Sequence, residues 1–286
     1  MPASLPQRYG WVGLGAMGYP MANQLRQKLP QGCKLIVYDV NEDVTKQFVD
    51  ENGGSIQVKV AHSTIDPESS LVVGRAVDKS STEPDNPARF YDAPVSGGTA
   101  GAAKGALTFM VGAAPDDPFF PVLEQIFRCM GTSIYPIGGR SLGVAAKLSN
   151  NYLSSMVNLA TAEAMNLGMR LGIDPKVLSN CFKTSSGSNW VNSTVNPVPG
   201  VCPDAVTSKG YEGGFKVIEH PKSREHIQLM KKDLTLAIQA ANSVGAKLVL
   251  ADSGLPAYTE ASNDPRCKDK DSRVIYRWLG GVEPEV

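Results

Sequence analysis

YGWVGLGAMGYPMANQLRQKL, residues 9–29, reads as a strand, a glycine turn and a helix in immediate succession. Tyr9 to Val12 is a short apolar run. The stretch from Met17 onward places Met17, Met21 and Leu25 on one helical face. The intervening GLGAMG matches GxGxxG, and each glycine has its own steric reason. Gly13 permits a tight turn, Gly15 permits close approach of backbone to a pyrophosphate, and Gly18 permits close packing of helix on strand. The turn amides around Leu14, Gly15, Ala16 and Met17 would face an anion from a helix N-terminus, where the macrodipole favours negative charge. Alone the match is weak, because 28 glycines make chance occurrences easy. The run KLIVYDV at 34–40 strengthens it: an apolar strand ends on Asp39, about 20 residues past Gly18, the spacing of an acid that binds ribose hydroxyls. A carboxylate there repels a 2′-phosphate, and Val40 and Asn41 supply no arginine to receive one, so NAD is expected over NADP.

The bulk numbers suit a dinucleotide enzyme. A chain of 286 residues exceeds the usual size of one core, so two domains are expected, 1–140 and 141–286. Lys plus Arg and Asp plus Glu are both 28, leaving no net field to attract nucleic acid or an anionic membrane; a small-molecule partner fits better. No apolar run has the length of a membrane span. Five cysteines without CxxC spacing argue against a disulfide scaffold or a zinc site, and no metal is expected. No presequence is visible at the N-terminus, which leaves a cytoplasmic location as one expectation.

Further along, DVTKQFVDENGG reads as a helix ending at Gly53 and Gly54, and SIQVKVAHSTIDPESS as a short alternating run entering a turn. Arg89 to Ala93 reads as a strand, Pro94 to Gly105 as a small-residue loop, and Ala106 to Val111 as another strand. Within the loop, Ser96, Gly97 and Gly98 can offer a hydroxyl and unshielded amides to a carboxylate. From Ser141 a proline-free pattern runs for about 30 residues toward Gly172 and the cap Asp174-Pro175, the mark of a domain-spanning helix. Its apolar positions Leu148, Met156, Leu159, Met165 and Leu167 are spread widely enough to predict burial on several sides, and with it a homo-oligomer. Lys147 and Asn151 lie four apart and share a face near its start, with no acidic residue four positions away. A lysine in a partly desolvated cleft can exchange a proton with a substrate hydroxyl while hydride leaves, and an asparagine one turn on can hold the same oxygen.

The motifs GLGAMGYPMA (13–22), STIDP (63–67), DAPVSGG (92–98), GALTFMVGA (105–113), GVAAKLSNN (143–151), TAEAMNLGMRLG (161–172) and NPVPG (196–200), in that order, resemble the β-hydroxyacid dehydrogenases. Within that family they look most like the branch acting on 3-hydroxyisobutyrate. The resemblance implies an α/β Rossmann-type N-terminal domain and an all-α C-terminal domain, joined by a long helix with the active site between them. It implies NAD-dependent oxidation of 3-hydroxyisobutyrate to methylmalonate semialdehyde, a step of valine catabolism, in mitochondria. By the same resemblance Lys147 is the general base; Asn151, Ser96, Gly97 and Gly98 hold the substrate; and Phe215 lines its pocket. Thr64 and Lys232, of the KDL motif, contact the cofactor. The alternatives are another short-chain β-hydroxyacid dehydrogenase or semialdehyde reductase, and a non-catalytic copy.

The chain departs from the family pattern twice. Between Phe48 and Ser63 it lacks a central strand-helix unit that the family carries, with IQVKVAH as the nearest substitute strand. Loss of a central parallel strand removes ladder partners and uncovers apolar helix faces, unlike a trimmed surface loop. After Phe215, KVIEHPKSREHI is a longer and more polar link than the family's.

Overall fold

The computed structural model describes residues 5–52, 55–56, 66–80, 88–207, 216–217 and 226–284. The chain divides into two compact units, Met1–Lys147 and Leu148–Val286.

In the first unit β1 (Arg8–Val12), α1 (Gly18–Lys28), β2 (Lys34–Tyr38), α2 (Glu42–Asn52) and β3 (Ser55–Ile56) follow in order. The three strands form one parallel sheet in the order β1-β2-β3. After α3 (Pro67–Ser80) come β4 (Val95–Ser96), α4 (Gly98–Lys104), β5 (Leu107–Val111), α5 (Phe120–Arg128) and β6 (Gly131–Pro136). These strands make a second sheet, β4-β5-β6, with β4 antiparallel to β5 and β6 parallel to it. Among the described residues, no strand pairs with the second edge of β1.

Sequence alternation explains the strands. Leu35 and Val37 on β2, and Leu107, Phe109 and Val111 on β5, point one way and are buried, while the residues between them are half-buried. Together with Leu14, Ala22, Leu25, Phe48 and Met130 they form a single apolar cluster. At the start of α2, the Asn41 carboxamide oxygen accepts from the amides of Asp43 (3.0 Å) and Val44 (3.3 Å), and Glu42 and Asp43 complement the dipole.

Two sequence expectations are corrected here. Arg89 to Ala93 is not a strand; β4 is the later pair Val95–Ser96. The backbone still runs beside β5, since the amides of Met110 and Gly112 donate to the carbonyls of Pro94 (3.0 Å) and Asp92 (2.7 Å). Pro94 has no N–H to return the bond, so the ladder there is one-sided. Nor is Pro94 to Gly105 all loop: the small residues Gly98–Lys104 wind into α4, which ends on Gly105 at φ 62°.

The second unit holds most of α6 (Leu142–Arg170), then α7 (Pro175–Thr184), α8 (Trp190–Thr194), β7 (Val206–Thr207), β8 (Lys216–Val217), α9 (His226–Ser243) and α10 (Ala251–Asn263). It closes with a 3-10 turn at Ser272–Val274 and α11 (Ile275–Trp278). Met156, Ala162 and Met165 of α6 pack with Leu234, Tyr258, Ala261 and Tyr276 in its core. The Asp174 carboxylate caps α7 by accepting from Lys176 (2.9 Å) and Val177 (3.0 Å), with Pro175 in the first turn as the sequence predicts. Gly168 lets α7 close on α6, because a Cβ there would lie 2.4 Å from Leu178 Cδ2.

The unit is not purely helical. β7 and β8 pair in parallel, Val206 opposite Lys216 and Thr207 opposite Val217. Of the α6 positions expected to be buried on several sides, Leu148, Met156 and Met165 are buried and Leu159 is half-buried, while Leu167, like Leu153, is 62% exposed.

Ser141, just before α6, has φ 66°, is buried, and its hydroxyl has no hydrogen-bond partner among the described residues. Left-handed backbone costs a non-glycine residue about 1–2 kcal/mol, and an unsatisfied buried hydroxyl adds to that. Ser141→Gly is therefore expected to stabilise the chain by about 1 kcal/mol after glycine's entropy cost, read as a higher midpoint in denaturant with an unchanged slope.

Candidate cofactor and active site

The glycine turn is built as its spacing requires. Gly13 has φ 92°, a conformation open to glycine, and its amide donates to the Tyr38 carbonyl at 2.7 Å, tying the turn to the end of β2. A Cβ on Gly18 would sit 2.0 Å from the Gly13 carbonyl oxygen, so this glycine lets the first turn of α1 lie against the turn itself. A Cβ on Gly15 would meet nothing within 4 Å, which leaves the room a pyrophosphate needs beside the backbone. α1 has no acidic residue in its first turn and no side chain capping its N-terminus, so the positive end of its dipole is not neutralised from within the helix.

Asp39 lies half-buried at the end of β2 and anchors the turn. Its Oδ2 accepts from the Leu14 amide at 2.7 Å and its Oδ1 from the Asn41 amide at 2.9 Å. The carboxylate thus fixes the fingerprint turn from the end of β2. Together the open space at Gly15, the left-handed Gly13 and the anchored Asp39 fit a dinucleotide. Beside them Tyr19 of α1 donates to the Glu51 carboxylate of α2 and packs edge-on against Phe48. Burial, then the Glu51 bond, pushes the Tyr19 phenol up; the same bond, with a second from Gln47, holds Glu51 below the usual carboxylate range.

Ser96 ends β4, half-buried, and Gly97 and Gly98 turn the chain into α4 at φ 132° and 62°. Both conformations strain any L side chain, and at Gly97 a Cβ would also approach Leu107 Cδ2 to 3.0 Å. Both glycines are exposed, leaving their backbone open to a ligand.

Lys147 is half-buried in the second turn of α6. The start of that helix is held by Asp92, the first residue of DAPVSGG, whose buried carboxylate accepts from Ser141 (2.7 Å) and Val144 (2.8 Å). One turn after Lys147, within the second unit, the Asn151 carboxamide donates to Asp233 Oδ2 at 2.8 Å. Its own oxygen accepts from Asn150 at 3.3 Å. Lys232 pairs with Asp233 Oδ1 at 3.2 Å, the lysine side chain 38% exposed and the aspartate 16%. The acid absent within four residues of Asn151 thus comes from α9.

Thr64 and Phe215 lie outside the described residues. The structure brings Gly13–Gly18 and Asp39 together in one cradle, and places Ser96–Gly98 and Lys147 in the same unit. Sequence reading missed Asp92 and Asp233. Each is an acid inside a quoted motif with no basic residue positioned to explain it except the adjacent Lys232, a signal available but unused. Among the described residues no group of His, Cys, Asp and Glu could hold a metal, and no helix is long and apolar enough to cross a membrane.

Comparison with known proteins agrees with this geometry. Residues 141–279 match a family described as the NAD-binding domain of NADP-dependent 3-hydroxyisobutyrate dehydrogenase. The NAD binding domain of 6-phosphogluconate dehydrogenase is matched in two overlapping pieces, 8–77 and 57–139. Mitochondrial 3-hydroxyisobutyrate dehydrogenase of Homo sapiens is 36% identical over 94% of this chain and 86% of its own length. That of Mus musculus is 34% identical over 96% and 88%; its alignment runs over 315 positions, more than the 286 residues of this chain, so some have no counterpart here. A solved Mycobacterium tuberculosis 3-hydroxyisobutyrate dehydrogenase with L-serine superposes with TM-score 0.76 at 23% identity, covering 95% of this chain and 98% of that one. With the dinucleotide cradle formed, and the relatives matched nearly end to end, the chain belongs to the 3-hydroxyisobutyrate dehydrogenase family of β-hydroxyacid dehydrogenases.

Proposed function

We propose that this chain oxidises 3-hydroxyisobutyrate to methylmalonate semialdehyde with NAD, as in valine catabolism, and that Lys147 is the general base. The observation that carries the reading is GVAAKLSNN at the start of α6: a half-buried lysine followed one turn later by an asparagine. Bound nicotinamide supplies the hydride acceptor. Lys147 in its amine form takes the hydroxyl proton as the carbinol carbon loses hydride. Asp233 fixes the Asn151 amide by taking one N–H, and Asn150 occupies its oxygen, so the remaining N–H is the group left to hold the oxygen that becomes a carbonyl. Ser96 and the exposed amides at Gly97 and Gly98 hold the substrate carboxylate. Lys232 touches cofactor, as in the resemblance. NADH formed by the wild-type chain and lost in Lys147→Ala tests this.

NAD rather than NADP rests on Asp39, although the matched C-terminal family is described as NADP-dependent. Its carboxylate, held by Leu14 and Asn41, cannot swing away from a 2′-phosphate without releasing the turn. Asp39→Ala is expected to weaken NAD binding by about tenfold or more and to narrow its preference over NADP, measured as kcat/KM for the two cofactors.

Loss of the strand-helix unit between Phe48 and Ser63 is supported by three observations. The described strands of the first unit form two sheets instead of one, the N-terminal family is matched in two pieces, and the mouse alignment outruns the chain. Domains of 1–140 and 141–286 fit the two matched families, which meet between 139 and 141. Exposed Leu153, Leu167 and Leu171 support a homo-oligomer, and the mitochondrial relatives support that location.

A second reading, an enzyme for another short hydroxy acid, is favoured by the mycobacterial structure with L-serine. Comparing kcat/KM for 3-hydroxyisobutyrate and L-serine separates the two.

A further inference from the structure

We infer that Asp92 is a positioning residue that sets Lys147 against the Ser96–Gly98 segment. The inference rests on Lys147 being the base. Asp92 precedes Ser96 by four residues and is 6% exposed. Its Oδ1 accepts from the Ser141 amide at 2.7 Å and its Oδ2 from the Val144 amide at 2.8 Å, one oxygen on each side of the first turn of α6. Those N–H groups belong to the set that a helix cannot satisfy internally, and here the acceptor comes from a segment 49 and 52 residues away in sequence. Lys147 follows Val144 by three residues, so the same carboxylate that pins the helix start also fixes the height and rotation of the lysine.

The surroundings are shaped around that carboxylate. A Cβ on Gly112 would lie 2.0 Å from Asp92 Oδ1, and one on Gly143 would lie 2.8 Å from Oδ2 and 2.3 Å from the Met110 carbonyl oxygen. The Gly112 amide also donates to the Asp92 carbonyl at 2.7 Å. Strand β5, the Asp92–Ser96 segment and the head of α6 therefore meet at one side chain, and no side chain can be added from either flank without moving it. The dinucleotide turn is separate: its contacts run through Gly13, Leu14, Gly18 and Asp39. Asp92 should accordingly act on the chemical step and leave cofactor binding alone.

Asp92→Asn keeps the shape but puts an NH2 where one of the two helix amides needs an acceptor. Gly143→Ala leaves the charge and presses on the same contact from the helix side. Each variant is compared with wild type by kcat, KM for 3-hydroxyisobutyrate, NADH affinity by fluorescence, and amide hydrogen exchange. Expected in both are a fall in kcat of about tenfold or more, consistent with misplacing a reacting group, and NADH affinity within twofold. Faster exchange is expected at the head of α6 and unchanged exchange in α1. Unchanged kcat with faster exchange, or unchanged exchange at the head of α6, overturns the inference. So does loss of NADH binding in proportion to turnover in both variants, which marks a general structural role. A wild-type chain that binds NADH but turns over no hydroxy acid overturns the reading of Lys147 itself, and this inference with it; the exchange data then report only a helix anchor.

Discussion

Replacing Lys147 with Ala is expected to lower kcat for 3-hydroxyisobutyrate oxidation by between about a hundredfold and ten-thousandfold, the range for removing a positioned general base. NADH affinity should change little, because the cradle at Gly13–Gly18 and Asp39 does not involve the lysine. The pairing of the two outcomes is the informative part. A base acts on the proton of the substrate, so its loss appears in kcat and kcat/KM together. A lysine that only supported the fold would lower NADH binding and turnover in parallel. Arginine is a poor substitute, since its guanidinium stays protonated and cannot accept the hydroxyl proton.

Gly18→Ala carries the second large effect. The new methyl would sit 2.0 Å from the Gly13 carbonyl oxygen and 2.9 Å from its carbon, both backbone atoms. No side-chain rotation relieves that contact, so either α1 shifts away from the turn or the turn opens. Overpacking of this kind costs about 1–3 kcal/mol, and rigid backbone places it at the upper end or beyond. Moving α1 also moves the helix terminus away from the pyrophosphate. The expected result is a lower unfolding midpoint together with NADH affinity reduced by about tenfold or more, measured by denaturant titration and fluorescence. Gly15→Ala makes the contrast: its methyl meets nothing within 4 Å, so stability should hold while NADH binding falls, because the space it fills is the space the ligand needs.

How much of this was legible in the sequence follows from which interactions are local. The β1-turn-α1 unit, β2 and Asp39 were readable because strand alternation, glycine spacing and one strand-end acid lie within about 30 residues, the size of such a unit. The head and tail of α6 were readable because Ser141, Gly172 and the Asp174-Pro175 cap punctuate an uninterrupted pattern. β4 was misplaced because Pro94 interrupts the ladder, a matter of which partner strand is present and not of the residues themselves. α4 was missed because a run of glycine and alanine has neither amphipathic period nor side-chain cap. β7 and β8 are two residues each, too short to leave a period. Asp92 and Asp233 act over 49 and 82 residues respectively; their position as acids inside motifs was legible, but the partners that far along the chain were not. The exposure of Leu153 and Leu167 depends on what packs beside α6, which periodicity alone does not specify.

The departure after Phe48 makes the state of the first unit the point on which function turns. Two three-stranded sheets share one apolar cluster, and the dinucleotide turn with its Asp39 anchor is intact in the first of them. On the proposed reading, the cradle does not require a further strand-helix unit between Phe48 and Ser63. The most direct test is formation of NADH, followed by its absorbance, when the purified full chain is given NAD and 3-hydroxyisobutyrate, with Lys147→Ala run beside it. Steady NADH production by the wild-type chain, falling by at least about a hundredfold in the variant, is the expected result; a folded wild-type chain that produces no NADH, or a variant as active as wild type, would contradict the assignment of Lys147 as base in a working dehydrogenase.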